Sequence, residues 1–171
     1  MKNLLLICLS IITIGAYAQT NGHGKSSPSQ AEYAQTIQYL TNAINADNEN
    51  TDLYVKRADA IYYLNAIYPH QTVSQFKLND ALVDIDKAIK IDGQNPALYS
   101  IRGMYHRNIT GDLSTAYADL TRAIELDPQN PQWYLERTNY ADLDQACADW
   151  KKCAELGNGS CDQIRTSLCS K

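Results

Sequence analysis

Apolar residues recur along most of this chain at three- and four-residue spacing. In Asp80 to Ile91 the stripe is Ala81, Ile85, Ala88 and Ile89, and one unit later it is Leu113, Ala116, Leu120, Ala123 and Ile124. That period describes amphipathic helices, and the alanines on each stripe let neighbouring helices approach closely. Each stripe runs into a turn, most clearly Asp127-Pro128-Gln129-Asn130-Pro131, where Pro131 sits at the helix start that tolerates a missing amide donor. Leu98-Tyr99 to Arg107 then reads as a partner helix, and Ala31 to Ala46 as a further helix upstream. Helices alternating with short turns predict an all-α stack.

The polar positions repeat with the apolar ones. Ala43-Ile44, Asp47, Asn50, Leu53-Tyr54 and Arg57 return as Ala88-Ile89, Asp92, Asn95, Leu98-Tyr99 and Arg102. They return again as Ala123-Ile124, Asp127, Asn130, Trp133-Tyr134 and Arg137. Such an internal repeat predicts stacked helical units, each unable to bury its apolar face alone, and hence a short α-solenoid. The length of 171 residues allows about one domain. A formal net charge of -4 supplies no basic stripe for phosphates, so nucleic acid is not an expected partner. Twelve Tyr against a single Phe suit a thin stack whose interior never lies far from water.

Residues 1–18 read as a cleaved secretory signal and are set aside from the fold. Lys2 begins it, Leu4 to Ile14 is apolar apart from Ser10 and Thr13, and Ala16-Tyr17-Ala18 offers the cleavage site before Gln19. The run is shorter than the about 20 apolar residues of a membrane span. Cys8 lacks the small residues that precede a lipidated cysteine. Residues 19–29, with Gly22, Gly24, Ser26, Ser27 and Pro28, read as a flexible linker before a solenoid over 30–169. The expected location is periplasmic or secreted.

Export gives the remaining cysteines, Cys147, Cys153, Cys161 and Cys169, reason to pair. Their spacing does not match paired zinc knuckles, and no metal or cofactor is expected. If Asp144 to Leu156 and Asp162 to Leu168 form an antiparallel pair turning near Gly157-Asn158-Gly159, a nested pairing follows, Cys153 with Cys161 and Cys147 with Cys169. Four cysteines nonetheless allow three connectivities. Enzyme chemistry finds no foothold: there is no Gly-rich phosphate loop, no paired-histidine metal motif and no nucleophile elbow. Asp84, Asp86, Asp142, Asp144 and Asp149 fall on polar faces of the predicted helices, where solvation is expected.

The units resemble tetratricopeptide repeats. An aromatic lies early in each first helix (Tyr54, Tyr99, Tyr134), followed four positions later by Ala58, Gly103 or Thr138. Small residues open the second helices (Ala81, Ala116, Ala146), a second small one follows (Ala88, Ala123, Cys153), and Asp127-Pro128 closes a unit in full. The resemblance covers about residues 30 to 157. The intervals Ala58 to Ala81, Gly103 to Ala116 and Thr138 to Ala146 are 23, 13 and 8, where the family keeps about 12. The first unit thus carries an insertion of eleven residues, the second of one, and the third a deletion of four, after a leading half-repeat. The closing stretch is similar to the terminal unit of exported tetratricopeptide proteins of the Bacteroidetes, and Cys153 with Cys161 resembles cysteine-rich Sel1-like helix pairs. Both resemblances support the nested pairing without choosing it outright, and make residues 147–169 a stapled C-terminal cap.

The resemblance implies a non-enzymatic protein-interaction scaffold with a concave groove that holds a peptide or a partner's helix. Val55, Asp59 and Tyr62 would face it from the first unit, Ser100, Met104 and Arg107 from the second, and Leu135 and Asn139 from the third. The lysine and asparagine pattern that clamps a C-terminal carboxylate is absent. Met104 suits gap-filling core equally well, and Arg57, Arg102 and Arg137 suit local pairing. The insertion, residues 65–77 with Tyr68, Pro69, His70 and Phe76 and beside Tyr62 and Tyr63, offers a second binding face for a structural envelope component. Pro69 should end the first helix there, with Thr72 or Ser74 capping a lengthened second one; packing of these aromatics against the half-repeat is the alternative. His106 is expected as a packed ring in a place where the family keeps an aromatic. Sel1-like proteins also imply a remote β-lactam-binding or hydrolysing role.

Overall fold

The computed structural model describes residues 28–70 and 76–169. The signal segment, most of the linker and Thr72 and Ser74 lie outside the described residues. All regular structure among the described residues is helical, and the chain divides into two compact units, up to Ile91 and from Asp92 onward.

The first unit holds α1 (Gln30–Ala46), α2 (Thr51–Ile67) and α3 (Leu78–Ile91). α1 starts where the Gly- and Ser-rich stretch ends because Ser29 and Glu32 form a capping box: the Ser29 amide donates to Glu32 Oε2 at 2.7 Å, and the Glu32 amide to Ser29 Oγ at 3.3 Å. α2 packs against both α1 and α3. Tyr33, Ile37, Leu40 and Ile44 of α1 are buried, as are Tyr54, Ala58, Ile61 and Leu64 of α2 and Ala81, Ile85 and Ala88 of α3. The stripe read from the sequence supplies the α3 residues, and the repeated positions supply Ile44, Tyr54 and Ala58.

The insertion is distributed differently from expectation. α3 opens at Leu78, three residues before its small residue Ala81, just as the corresponding helices of the second unit open at Leu113 before Ala116 and at Leu143 before Ala146. The second helix is not lengthened. Its first turn is closed by Asp80, which accepts from the Lys77 amide at 2.8 Å. The extra residues lie in the 17-residue α2 and in the connection that follows it. Tyr68, the residue before Pro69, ends α2 and turns inward, its hydroxyl donating to the Pro28 carbonyl at 2.9 Å and its ring meeting Tyr33 edge-on at 6.5 Å. Tyr68 therefore fastens the end of α2 to the start of the leading half-repeat.

The second unit holds α4 (Pro96–Tyr105), α5 (Leu113–Leu126), α6 (Pro131–Arg137), α7 (Leu143–Glu155) and α8 (Gly159–Leu168). Asn95 and Asn130 cap α4 and α6 through their side chains, each followed by Pro at the first helical position. The repeated tyrosines lock these turns, since Tyr54, Tyr99 and Tyr134 each donate to the carbonyl six residues upstream, those of Asn48, Gly93 and Pro128. α4 runs on into a π-helical turn, His106–Thr110, closed by Gly111 at φ 72°. A π turn accommodates one extra residue in a helix, which is the single-residue excess between Gly103 and Ala116. The four-residue deletion falls on α6, cut to 7 residues.

The buried aromatic of α4 is Tyr105, not His106; the histidine sits one position further round, half-exposed in the π turn. Asp84 and Asp149, expected on solvated faces, are both only 4 % exposed, as is Asp119. At the C-terminal end α7 and α8 pack as a hairpin through Gly157, whose φ is 94°. The sulfurs of Cys147 and Cys169 stand at disulfide distance, as do those of Cys153 and Cys161, with Cα separations of 5.8 and 5.9 Å. Among the described residues no helix is long and apolar enough to cross a membrane.

Candidate functional site

What a helix face can offer a partner depends first on which side chains the fold has already committed. Arg57 donates to Asp84 through Nε at 2.8 Å and Nη2 at 2.6 Å, and to Thr41 Oγ1 at 3.1 Å. Arg102 grips Asp119 in the same way at 3.0 and 2.6 Å, and Arg137 grips Asp149 at 2.9 and 2.7 Å with Thr121 Oγ1 at 3.0 Å. Each guanidinium also lies over a tyrosine ring, those of Tyr54, Tyr99 and Tyr117. Asp84 holds Arg57 charged by these hydrogen bonds, while burial pushes the Asp84 carboxyl itself above the ordinary aspartate value. The repeat arginines therefore join first helix to second helix inside each unit. They are locally paired rather than displayed.

The remaining first-helix residues form two faces, one on each unit. On α2, Val55, Asp59 and Tyr62 follow at i, i+4 and i+7 and are all half-exposed. Tyr62 meets Tyr63 edge-on at 5.4 Å, and the Tyr63 hydroxyl is held above its usual range by burial first, then by the neighbouring Asp59 and Tyr62.

On the second unit the face is built from α4 and α6 together. Ser100, Met104 and Arg107 share one side of α4 and its π turn; Leu135 and Asn139 lie on α6 and just after it. Met104 is 37 % exposed, and Arg107 and Asn139 are exposed as well, so Met104 does not act as gap-filling core. Ser100 Oγ donates to Glu136 Oε2, and Glu136 Oε1 accepts from Gln132 Nε2 at 2.9 Å. Arg107 lies over the Tyr140 ring at 5.8 Å. The Tyr140 hydroxyl is raised by burial against the opposing pull of Arg107. Asn139 Nδ2 is turned back onto the Glu136 carbonyl at 3.0 Å, and Leu135 is drawn under the face, packed against Tyr134, Cys153 and Cys161.

Two links thus join the α4 residues to the α6 segment, one through Glu136 and one through Tyr140. Neither Glu136 nor Tyr140 was singled out from the sequence. Their signal in the sequence is the four-residue stripe Gln132, Glu136 and Tyr140, adjacent to the resemblance-implied Leu135 and Asn139.

No group of three or more histidine, cysteine or acidic side chains among the described residues is placed to hold a metal. An open depression of about 490 Å³ lies at the turn between α7 and α8, lined by Lys151, Glu155, Asp162 and Arg165. Arg165 is paired there with Asp162 at 2.7 Å.

No protein-family model matches the chain, and no curated protein is similar to it in sequence. Solved structures are similar in fold. A thermophilic TPR protein of Thermus thermophilus, TTC0263, superposes with a TM-score of 0.61 at 17% identity, covering 80% of this chain and 73% of that one. A crystal structure of MamA gives a TM-score of 0.58 at 20% identity over 76% and 71% of the two chains, and a second gives 0.59 at 17% over 95% and 86%. The fold is the all-α solenoid of tetratricopeptide type.

Proposed function

We propose that this chain is a non-enzymatic interaction module that holds an extended peptide or a partner's helix on the exposed faces of its first helices. The observation that carries the reading is the α4 and α6 face. Met104, Arg107 and Asn139 stand exposed on it. Beneath them, Glu136 and Tyr140 fix its two sides, and the three repeat arginines are consumed inside the fold. An exposed thioether beside a cation suits a partner that buries an apolar side chain next to a polar or acidic one. Val55, Asp59 and Tyr62 offer the equivalent stripe on the first unit. The tetratricopeptide-type fold supports this reading because stacked helix pairs expose their faces for contact.

Residues 1–18 act, in this reading, as a signal for export to the periplasm or beyond. Two cysteine pairs at disulfide distance support an oxidising compartment, where such bonds persist. The test is affinity capture from envelope extract with the native chain and with Tyr62→Ala, Met104→Ala and Arg107→Ala combined, a Val83→Ser variant serving as a control on an exposed residue elsewhere. Loss of a captured protein in the triple variant and its retention in the control is the expected result. Retention of every partner by the triple variant would dismiss the faces named here.

A further inference from the structure

The two cysteine pairs of the C-terminal hairpin are not equivalent in their surroundings. Cys153 and Cys161 are fully buried, in a cluster with Tyr134 that Ile124, Leu135, Trp150, Ala154 and Leu156 cover. Cys147 and Cys169 are half-exposed, and Cys169 sits at the very end of α8. Thiol–disulfide exchange requires a thiolate to reach a sulfur along the S–S axis, so access separates the two bonds kinetically.

α8 is also held unevenly along its length. Of its 10 residues only Cys161, in the first turn, is buried, and Asn158 caps that same end by accepting from the Ser160 and Cys161 amides. At the far end Leu168 is 54% exposed, and the side chains of Arg165 and Ser167 bond within α8 itself, to Asp162 and Ile164. The inner pair and the cap hold the first turn, and the outer bond ties the last turn to α7.

We infer that the Cys147–Cys169 disulfide is a thiol–disulfide exchange site for a dithiol reductant, and that opening it unlatches the C-terminal end of α8 while Cys153–Cys161 keeps the first turn in place. The reductant's thiolate attacks one sulfur of the outer pair. The S–S bond breaks, and its electron pair leaves on the other sulfur, which takes up a proton. The reductant's second thiol then displaces the first sulfur from the mixed disulfide. Cys147 and Cys169 end as thiols and the reductant as a disulfide. Export into an oxidising compartment would close the latch, and a dithiol oxidoreductase met there could open it.

The test uses the full oxidised chain under native conditions, with dithiothreitol as the dithiol, timed trapping by iodoacetamide and peptide mapping. Cys147 and Cys169 should be alkylated about tenfold faster than Cys153 and Cys161, and the rates should converge in urea. Amide exchange on the trapped intermediate should rise over residues 162–168 and stay unchanged over 144–153. A Cys147→Ala, Cys169→Ala variant should show the same exchange pattern without reductant. Simultaneous labelling of all four cysteines, labelling of the inner pair first, unchanged exchange in α8, or unfolding of α7 when the outer bond alone opens would each overturn the inference.

Discussion

A guanidinium that donates two hydrogen bonds to one carboxylate, as Arg137 does to Asp149, is fixed in plane and leaves its partner with little need of water. The Asp149 side chain is 6% exposed and the Arg137 side chain 15%. Removing one partner strands the other, so Asp149→Ala should cost about 3 kcal/mol in urea unfolding, whereas Arg137→Met with Asp149→Leu should cost far less. Equal losses for single and double variants would contradict the assignment. Solvation of Asp84 and Asp149 was the wrong expectation for a readable reason. The pairs are 27, 17 and 12 residues apart in sequence, a spread created by the insertions and the deletion, so no fixed spacing announces them. In repeat register the pattern is constant: each arginine precedes the small residue Ala58, Gly103 or Thr138, and each aspartate follows Ala81, Ala116 or Ala146 by three. Exposed carboxylates behave otherwise. Glu32 is held below the usual glutamate value, chiefly by the Ser29 amide, and Asp112 below the usual aspartate value, chiefly by the Thr115 hydroxyl. A carboxylate depressed by folding stabilises above its unfolded value and loses that contribution as pH falls through its folded one. Amide exchange in the first turns of α1 and α5 should therefore quicken below the ordinary carboxylate range, and Glu32→Gln should abolish the effect in α1 alone.

At the scale of elements, the length of each first helix records what was inserted or lost. α2 is long, α4 absorbs one residue as a π turn, and α6 is cut short. Periodicity made the helices legible because their stripes are buried; it could not divide eleven extra residues between helix and loop, since polar and aromatic residues suit either. Tyr68 illustrates this: the sequence allowed it as a recognition residue or as packing against the half-repeat, and in the fold it ties to Pro28 and meets Tyr33. Gly103 marks a close approach of α4 and α5. A Cβ there would lie 3.0 Å from the Ala116 carbonyl oxygen, a backbone atom that cannot step aside cheaply. Gly103→Ala should destabilise by about 1 to 3 kcal/mol despite the better helix propensity of alanine. Chemical denaturation checks this, and a stabilised variant would show that the helices have room to part.

At the scale of the whole molecule, the internal repeat foretold an all-α solenoid and the family resemblance its tetratricopeptide type, and the solved structures of similar fold agree. The proposed contact faces were less legible. Ser100, Met104 and Arg107 were implied by the tetratricopeptide resemblance, but Glu136 and Tyr140 act across helices, and neither the resemblance nor single-helix periodicity carries such information. The most direct measurement of the account is site-specific photocrosslinking in cells, with a photoreactive amino acid at Met104 in one protein and at Val83, 65% exposed on α3, in another. The account predicts a discrete crosslinked partner from Met104, absent from Val83 and lost when Arg107 is changed to Ala. A partner captured from Val83 and not from Met104 would contradict it.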